Sequence, residues 1–179
     1  MSGERSTNSA GALRRIGAIV YDALIVTGLL VVATLPLVPF LDGKVLVPSE
    51  VGALAHLYRV WQLVVVVGFF TFFWIRRGQT LGMLAWRLRI ERLDGANLGW
   101  RDCLKRLGWV GLLLAPSFLG HQLAWGQWPD PNARVLAACL ALAPVIAAYA
   151  WIWFDRDGRA WHDRWSGTRV IVLPKRARS

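Results

Sequence analysis

The sequence predicts an all-α membrane fold, a four-transmembrane-helix bundle with a small cytoplasmic β element. Three observations carry that expectation. Of the 179 residues, 55% are hydrophobic and 18% charged, against about 25% charged in an average soluble domain. The apolar residues gather in long runs without a water-facing stripe, as helices in lipid do. Nearly all the positive charge then falls on one side of the topology those runs define.

Residues 1–12 are small and polar and read as a disordered tail. The first span covers 13–40, with Pro36 and Pro39 loosening its far end. Its basic head resembles that of a signal peptide. Its apolar part, however, exceeds the roughly 7–15 residues of an h-region, so it reads as a retained helix. Residues 41–56 connect, with a turn at Asp42-Gly43-Lys44 and a helix start at Pro48-Ser49-Glu50. The second span, 57–75, lies between the interfacial anchors Trp61 and Trp74 and stops at Arg76-Arg77.

The next segment changes character. Gly78-Gln79-Thr80-Leu81-Gly82 is turn-like, and Trp86 to Glu91 alternates apolar and charged residues, predicting a strand over 86–93. Asp94-Gly95 signals a turn. Asn97 is expected to cap a helix that begins amphipathic, with Arg101, Asp102, Lys105 and Arg106. That helix becomes the third span, 107–123, interrupted at Pro116. An interfacial loop near Trp125 to Asn132 leads to the fourth span, 135–154, which contains Pro144. After a turn at Asp155 to Gly158, residues 169–173 form a β-branched strand expected to pair with 86–93. The domain thus runs from 13 to 173, and 174–179 is a basic tail.

The net charge of +10 would suggest nucleic acid on a soluble protein. Here four spans put both termini on one side, together with every lysine and arginine except Lys44, Arg59 and Arg134, out of 21. Positive charge marks the cytoplasmic side, so both termini and the middle loop are predicted to be cytoplasmic. The arginines face anionic lipid headgroups rather than nucleic acid. Cys103 and Cys139 form no CxxC pair, which excludes a disulfide framework and a zinc site. No catalytic residue, metal or cofactor is expected: Ser166 lacks the strand–turn–helix setting of a nucleophile, and neighbouring His162 and Asp163 do not share a helix face.

Asp22 is the leading candidate for a functional side chain. A charge inside an apolar run costs at least a few kcal/mol unless it is paired, protonated or wetted. Its reading as an ion or proton site competes with that of a packing carboxylate bonded to Tyr21, a hydroxyl or an arginine. Arg15 lies seven residues earlier, about 10 Å away along a helix and on nearly the same face. It is a partner for Asp22 or for a tail carboxylate, or else a snorkelling charge. Trp161-His162-Asp163-Arg164 is the densest polar group. Asp163 there is expected to bond loop N–H groups or an arginine as the tail folds back on the helices. Tyr21, His162, Gln79, Thr80 and Thr168 are supporting candidates.

These motifs converge. Arg15-x-x-Ala18-x-x-x-Asp22, Gly78-Gln79-Thr80-x-Gly82, Leu88-Arg89-Ile90 with Asp94-Gly95, and Trp161-His162-Asp163 with Thr168-x-Val170 together resemble the RDD family of bacterial membrane proteins. The resemblance spans 13–173. It implies that Arg15 and Asp22 are the family's arginine and first aspartate, and Asp163 its second. Met83 stands where family members often carry Lys. The resemblance implies a bacterial inner membrane, and some members are linked to sodium–proton antiport. The leading reading is thus transport of a monovalent cation coupled to protons, with Asp22 as the exchange group and Arg15 and Asp163 gating or orienting it. Four spans leave little room for a pathway in one copy, so such a transporter is expected to be a homo-oligomer. The alternative is a non-catalytic membrane module that assembles or stabilises a partner membrane protein.

Overall fold

The computed structural model describes residues 9–41, 51–127 and 131–174. The expected turn at 42–44, the helix start at 48–50 and the basic residues 175–179 lie outside them, as do residues 1–8 and 128–130. The long apolar runs form the long helices. Helix α1 is Ala12–Thr34, continued by a 3-10 turn, Leu35–Phe40, where Pro36 and Pro39 remove backbone donors. Helix α2 is Ala53–Arg77, closed by Gly78 in the left-handed conformation. A short helix, α3 (Leu81–Ala85), and strand β1 (Leu88–Arg92) follow. Helices α4 (Trp100–Gln127) and α5 (Pro131–Ala150) come next, then a 3-10 turn, Trp151–Trp153. Helix α6 (Trp161–Ser166) and strand β2 (Thr168–Val172) end the fold.

Among the described residues, three helical stretches are long and apolar enough to cross a membrane: Ala12–Phe40, Ala53–Arg77 and Val135–Trp153. Residues 107–123, expected as a further span, are continuous helix within α4. Their apolar character is diluted by Gly108, Gly111, Pro116, Ser117, His121 and Gln122. Pro116 does not interrupt α4, and Pro144 likewise sits inside unbroken α5. The two helices are tied where Ser117 Oγ donates to the Ala141 carbonyl at 2.8 Å.

The two strands pair antiparallel, Leu88 opposite Val172 and Ile90 opposite Val170. Period-2 alternation turns Leu88, Ile90, Thr168 and Val170 inward. On the outer face Arg169 and Glu91, directly opposite, form an ion pair at 2.6 Å. Residues 9–12, expected in the disordered tail, are instead ordered. Ser9 bridges Ile171, the Ala10 amide donates to Val170 O at 3.1 Å, and Ala12 opens α1. The physical reason is an unpaired strand edge on β2 that these amides satisfy. The predicted cap at Asn97 is also displaced. Asn97 Oδ1 accepts from Arg89 at 2.6 Å, and α4 starts three residues later, where the Asp102 carboxylate takes the Gly99 N–H at 2.9 Å.

The N-terminal residues, the segment 78–98 and the tail thus meet at one end of the helices as a cap. A core of Ala10, Ala18, Trp74, Met83, Leu88, Ile90, Leu98, Cys103 and Val170 joins them. A row of tryptophans edges this cap. Trp109 meets Trp165 at 4.8 Å, Trp165 meets Trp161 at 5.7 Å, and Trp161 meets Trp151 at 5.9 Å between ring centroids.

Candidate functional site

Helix α3 explains the glycine-rich motif and Asp22 together. Gly78 turns the chain at φ +64°, and its carbonyl accepts the Ile90 amide at 2.7 Å. Gln79 Nε2 donates to the Leu88 carbonyl at 2.6 Å, fixing the strand to the turn. Thr80 is the N-cap of α3, its hydroxyl accepting from the Met83 amide at 3.2 Å. That hydroxyl donates its own proton to Asp22 Oδ2 at 2.5 Å, while the Gly82 amide donates to Asp22 Oδ1 at 2.8 Å. Both oxygens of the intramembrane carboxylate are therefore occupied by the start of a helix. There the orphan N–H groups and the positive end of the macrodipole favour an anion. Gly82 permits the approach: a Cβ there would lie 2.8 Å from the Asp22 carboxyl carbon and strike the Ala18 carbonyl oxygen. Tyr21, expected as a possible partner, points away and is half exposed. The hydroxyl that bonds Asp22 comes from Thr80, because residue 21 lies on a different face of α1.

Arg15 turns to the tail carboxylate, not to Asp22. Its Nη1 bonds Asp163 Oδ2, Nε donates to Ala10 O at 2.9 Å, and Nη2 donates to Gly158 O at 3.0 Å. Asp163, fully buried, also takes the Ala160 amide at 3.2 Å, closing the N-terminus of α6. Its other oxygen, Oδ1, pairs with Arg106 Nη1 at 2.5 Å. Arg106 in turn donates to Thr168 Oγ1 at 2.7 Å and lies over the Trp74 ring. Thr168 shares a further bond with Ser166 at 2.9 Å. Arg15, Arg106 and Asp163 are 5%, 5% and 0% exposed. Burial alone would raise the carboxyl of Asp163, but Arg106 and Arg15 outweigh it and hold it well below the usual carboxylate range.

Arg106 is the residue that sequence reasoning missed, because it sits among Arg101, Asp102 and Lys105 in an amphipathic turn. The signal was its position three after Cys103 and one before Leu107, on the apolar side of that turn.

His162 packs beside Tyr149, ring centroids 5.3 Å apart, with Nε2 3.5 Å from Asp163 Oδ1. Burial, reinforced by Arg106, pushes its pKa down to about 4. The folded protein therefore keeps His162 neutral while the unfolded chain protonates near pH 6.5. The unfolded state binds the extra proton, so stability falls as pH drops from about 6.5 to about 4, by about 3 kcal/mol in all. Thermal unfolding in detergent at pH 7 and pH 4.5 should show this loss, and His162→Gln should flatten it. An equal loss in the variant would assign it elsewhere.

Beneath the cap, between α1 and the α4–α5 pair, lies a cavity of about 430 Å³. Its polar end carries Arg15, Asp22, Thr80, Arg106, Tyr149 and His162; its walls are apolar. Among the described residues no cluster of three or more His, Cys, Asp or Glu side chains could hold a metal ion. The cysteines are unpaired, Cys103 buried and Cys139 exposed.

The sequence profile of the RDD family matches residues 9–167. The chain belongs to the RDD family. With its apolar helices, this makes it a multi-pass membrane protein. No curated protein and no solved structure matches it. In this RDD protein the arginine at position 15 and the aspartate at 163 are bound to each other, while Asp22 is bound to the glycine-rich turn. Met83, at the position where a lysine was the expectation for family members, is 7% exposed and belongs to the apolar core.

Proposed function

We propose that this RDD protein is a non-enzymatic membrane module that assembles or stabilises a partner membrane protein, and that it forms homo-oligomers. The observation that carries this reading is α1: in its most apolar window, 18 residues long, 0% are buried inside the protein. A helix so sparsely covered by its own chain offers its sides to lipid or to a neighbouring subunit. The three family residues support the same reading, since each is engaged in internal bonds that hold the cap. The module has four spans, α4 supplying the one beyond the three apolar stretches, with both termini in the cytoplasm of a bacterial cell. The gathering of Ser9, Gly78 and β2 at one end, and the arginine asymmetry, support that orientation. The row of tryptophans and the basic segments suit a headgroup layer of anionic lipids. Photo-crosslinkers at Leu24, Val31 and Val32, all exposed on α1, and along 76–106 test the module. Adducts to a second copy or to another membrane protein are expected; monomer alone would reject it.

A second reading, cation transport coupled to protons at Asp22, is favoured by the carboxylate bordering the cavity. On this reading Arg15 and Asp163 orient the exchange group through the cap. It predicts cation-dependent proton flux in proteoliposomes that Asp22→Asn abolishes. The nearby guanidinium groups of Arg15 and Arg106 oppose a cation there. Absence of flux in the wild-type protein, with a folded Asp22→Asn variant as control, is therefore the expected result.

A further inference from the structure

We propose that the cavity beneath the cap binds a long-chain carboxylate, its chain between α1 and the α4–α5 pair and its head on Arg106. The volume of about 430 Å³ is within the range of small-molecule sites, about 300–1,000 Å³. Ile19, Val110, Leu113, Leu114 and Val145 furnish walls without a polar group. From Leu107 to Leu114, α4 supplies about 10 Å of such wall, enough for the half of the chain nearest the head.

The polar end holds donors that no acceptor meets, beside a buried His162 Nδ1 that is unpartnered as well. Arg106 is 5% exposed and bonds Asp163 and Thr168 through Nη1 alone. Its Nε and Nη2 have no protein partner among the described residues. Trp74, whose ring lies under that guanidinium at 5.5 Å, also lines the cavity, and its buried Nε1–H is unpartnered. Both groups can only donate. The Trp74 donor is buried without an acceptor, which is costly, and Arg106 brings a charge that is 5% exposed to the same end.

Charge points the same way. Arg15 and Arg106 carry two positive charges against the single carboxylate of Asp163. Asp22 is bonded to Thr80 and Gly82 and pairs with neither arginine among the described residues. Asp22 borders the same cavity and offsets the second charge from a distance, but it gives Arg106 no acceptor. Leu88, Ile90 and Val170 of the cap roof that end of the cavity. A compact carboxylate on a single chain fits under the roof, whereas a glycerophosphate head with two chains needs a route to water.

The test uses the full chain in nanodiscs of zwitterionic phosphatidylcholine and a photoactivatable palmitate. Adducts are expected on residues 107–114 and 145–149. Oleate should compete, and oleyl alcohol, with the same chain and no charge, should need about tenfold more. Val145→Trp fills the cavity away from the cap and should remove the labelling. Arg106→Gln should erase the difference between the two competitors, with thermal unfolding as a check on its fold. Equal competition by oleyl alcohol, undiminished labelling of Val145→Trp, or competition by phosphatidylglycerol but not by oleate would each overturn the proposal.

Discussion

Asp163→Asn should destabilise this protein by about 3–5 kcal/mol, the cost of breaking a buried ion pair by removing one partner. The substitution changes little in volume, so packing is not at issue. It leaves the guanidinium groups of Arg15 and Arg106, each about 5% exposed, facing a neutral amide. It also weakens the bond to the Ala160 amide that starts α6. A native state is stable by only about 5–15 kcal/mol, so the variant loses a large share of its margin. Thermal unfolding in detergent measures the loss. Combining Asp163→Asn with Arg15→Met should cost less than the two single changes added together, because the second change removes a charge already stranded. Additive costs would mean that Arg15 and Asp163 do not act as a pair.

Gly82→Ala should be nearly as damaging, at roughly 3 kcal/mol. The new Cβ would strike the Ala18 carbonyl oxygen, which is backbone and cannot swing aside. Helix α3 must then withdraw from α1, stretching the 2.8 Å bond from the Gly82 amide to Asp22. Overpacking costs about 1–3 kcal/mol, and a hydrogen bond to a charged group is worth about 1.5–3 kcal/mol. Gly28→Ala in α1 and Gly68→Ala in α2 are the contrast. A Cβ at either meets nothing within 4 Å, so alanine should hold or raise stability there by up to about 1 kcal/mol. If all three variants unfold at the wild-type temperature, the close approach of α3 to α1 is wrong.

The long helices were legible because an apolar run too long for a globular core has few other uses. The hairpin was legible from the alternation at Leu88 to Glu91 and the Asp94-Gly95 turn. What stayed hidden has physical causes. Helix α3 is five residues long, too short for a periodic pattern, and is held by Thr80 and by Asp22 from another helix. One of the two partners of Asp22 is a backbone amide, which every residue but proline possesses, so no side chain announces it. Arg15 allowed two partners by its position, and only the folding back of the tail selects Asp163. Arg106 was disguised by its neighbours, since Arg101, Asp102 and Lys105 surround it in sequence while its own side chain turns inward.

The link between Arg15 and Asp163 spans 148 positions of the chain. A ribosome delivers α1 to the membrane long before the residue that neutralises its arginine exists. The first helix must wait at the lipid surface, its guanidinium wetted, while three more long helices are made. Asp163 follows all of those helices in the chain, so any fragment that stops before position 163 keeps an unanswered charge at the head of α1. The order of synthesis thereby sets the order in which the packing can form.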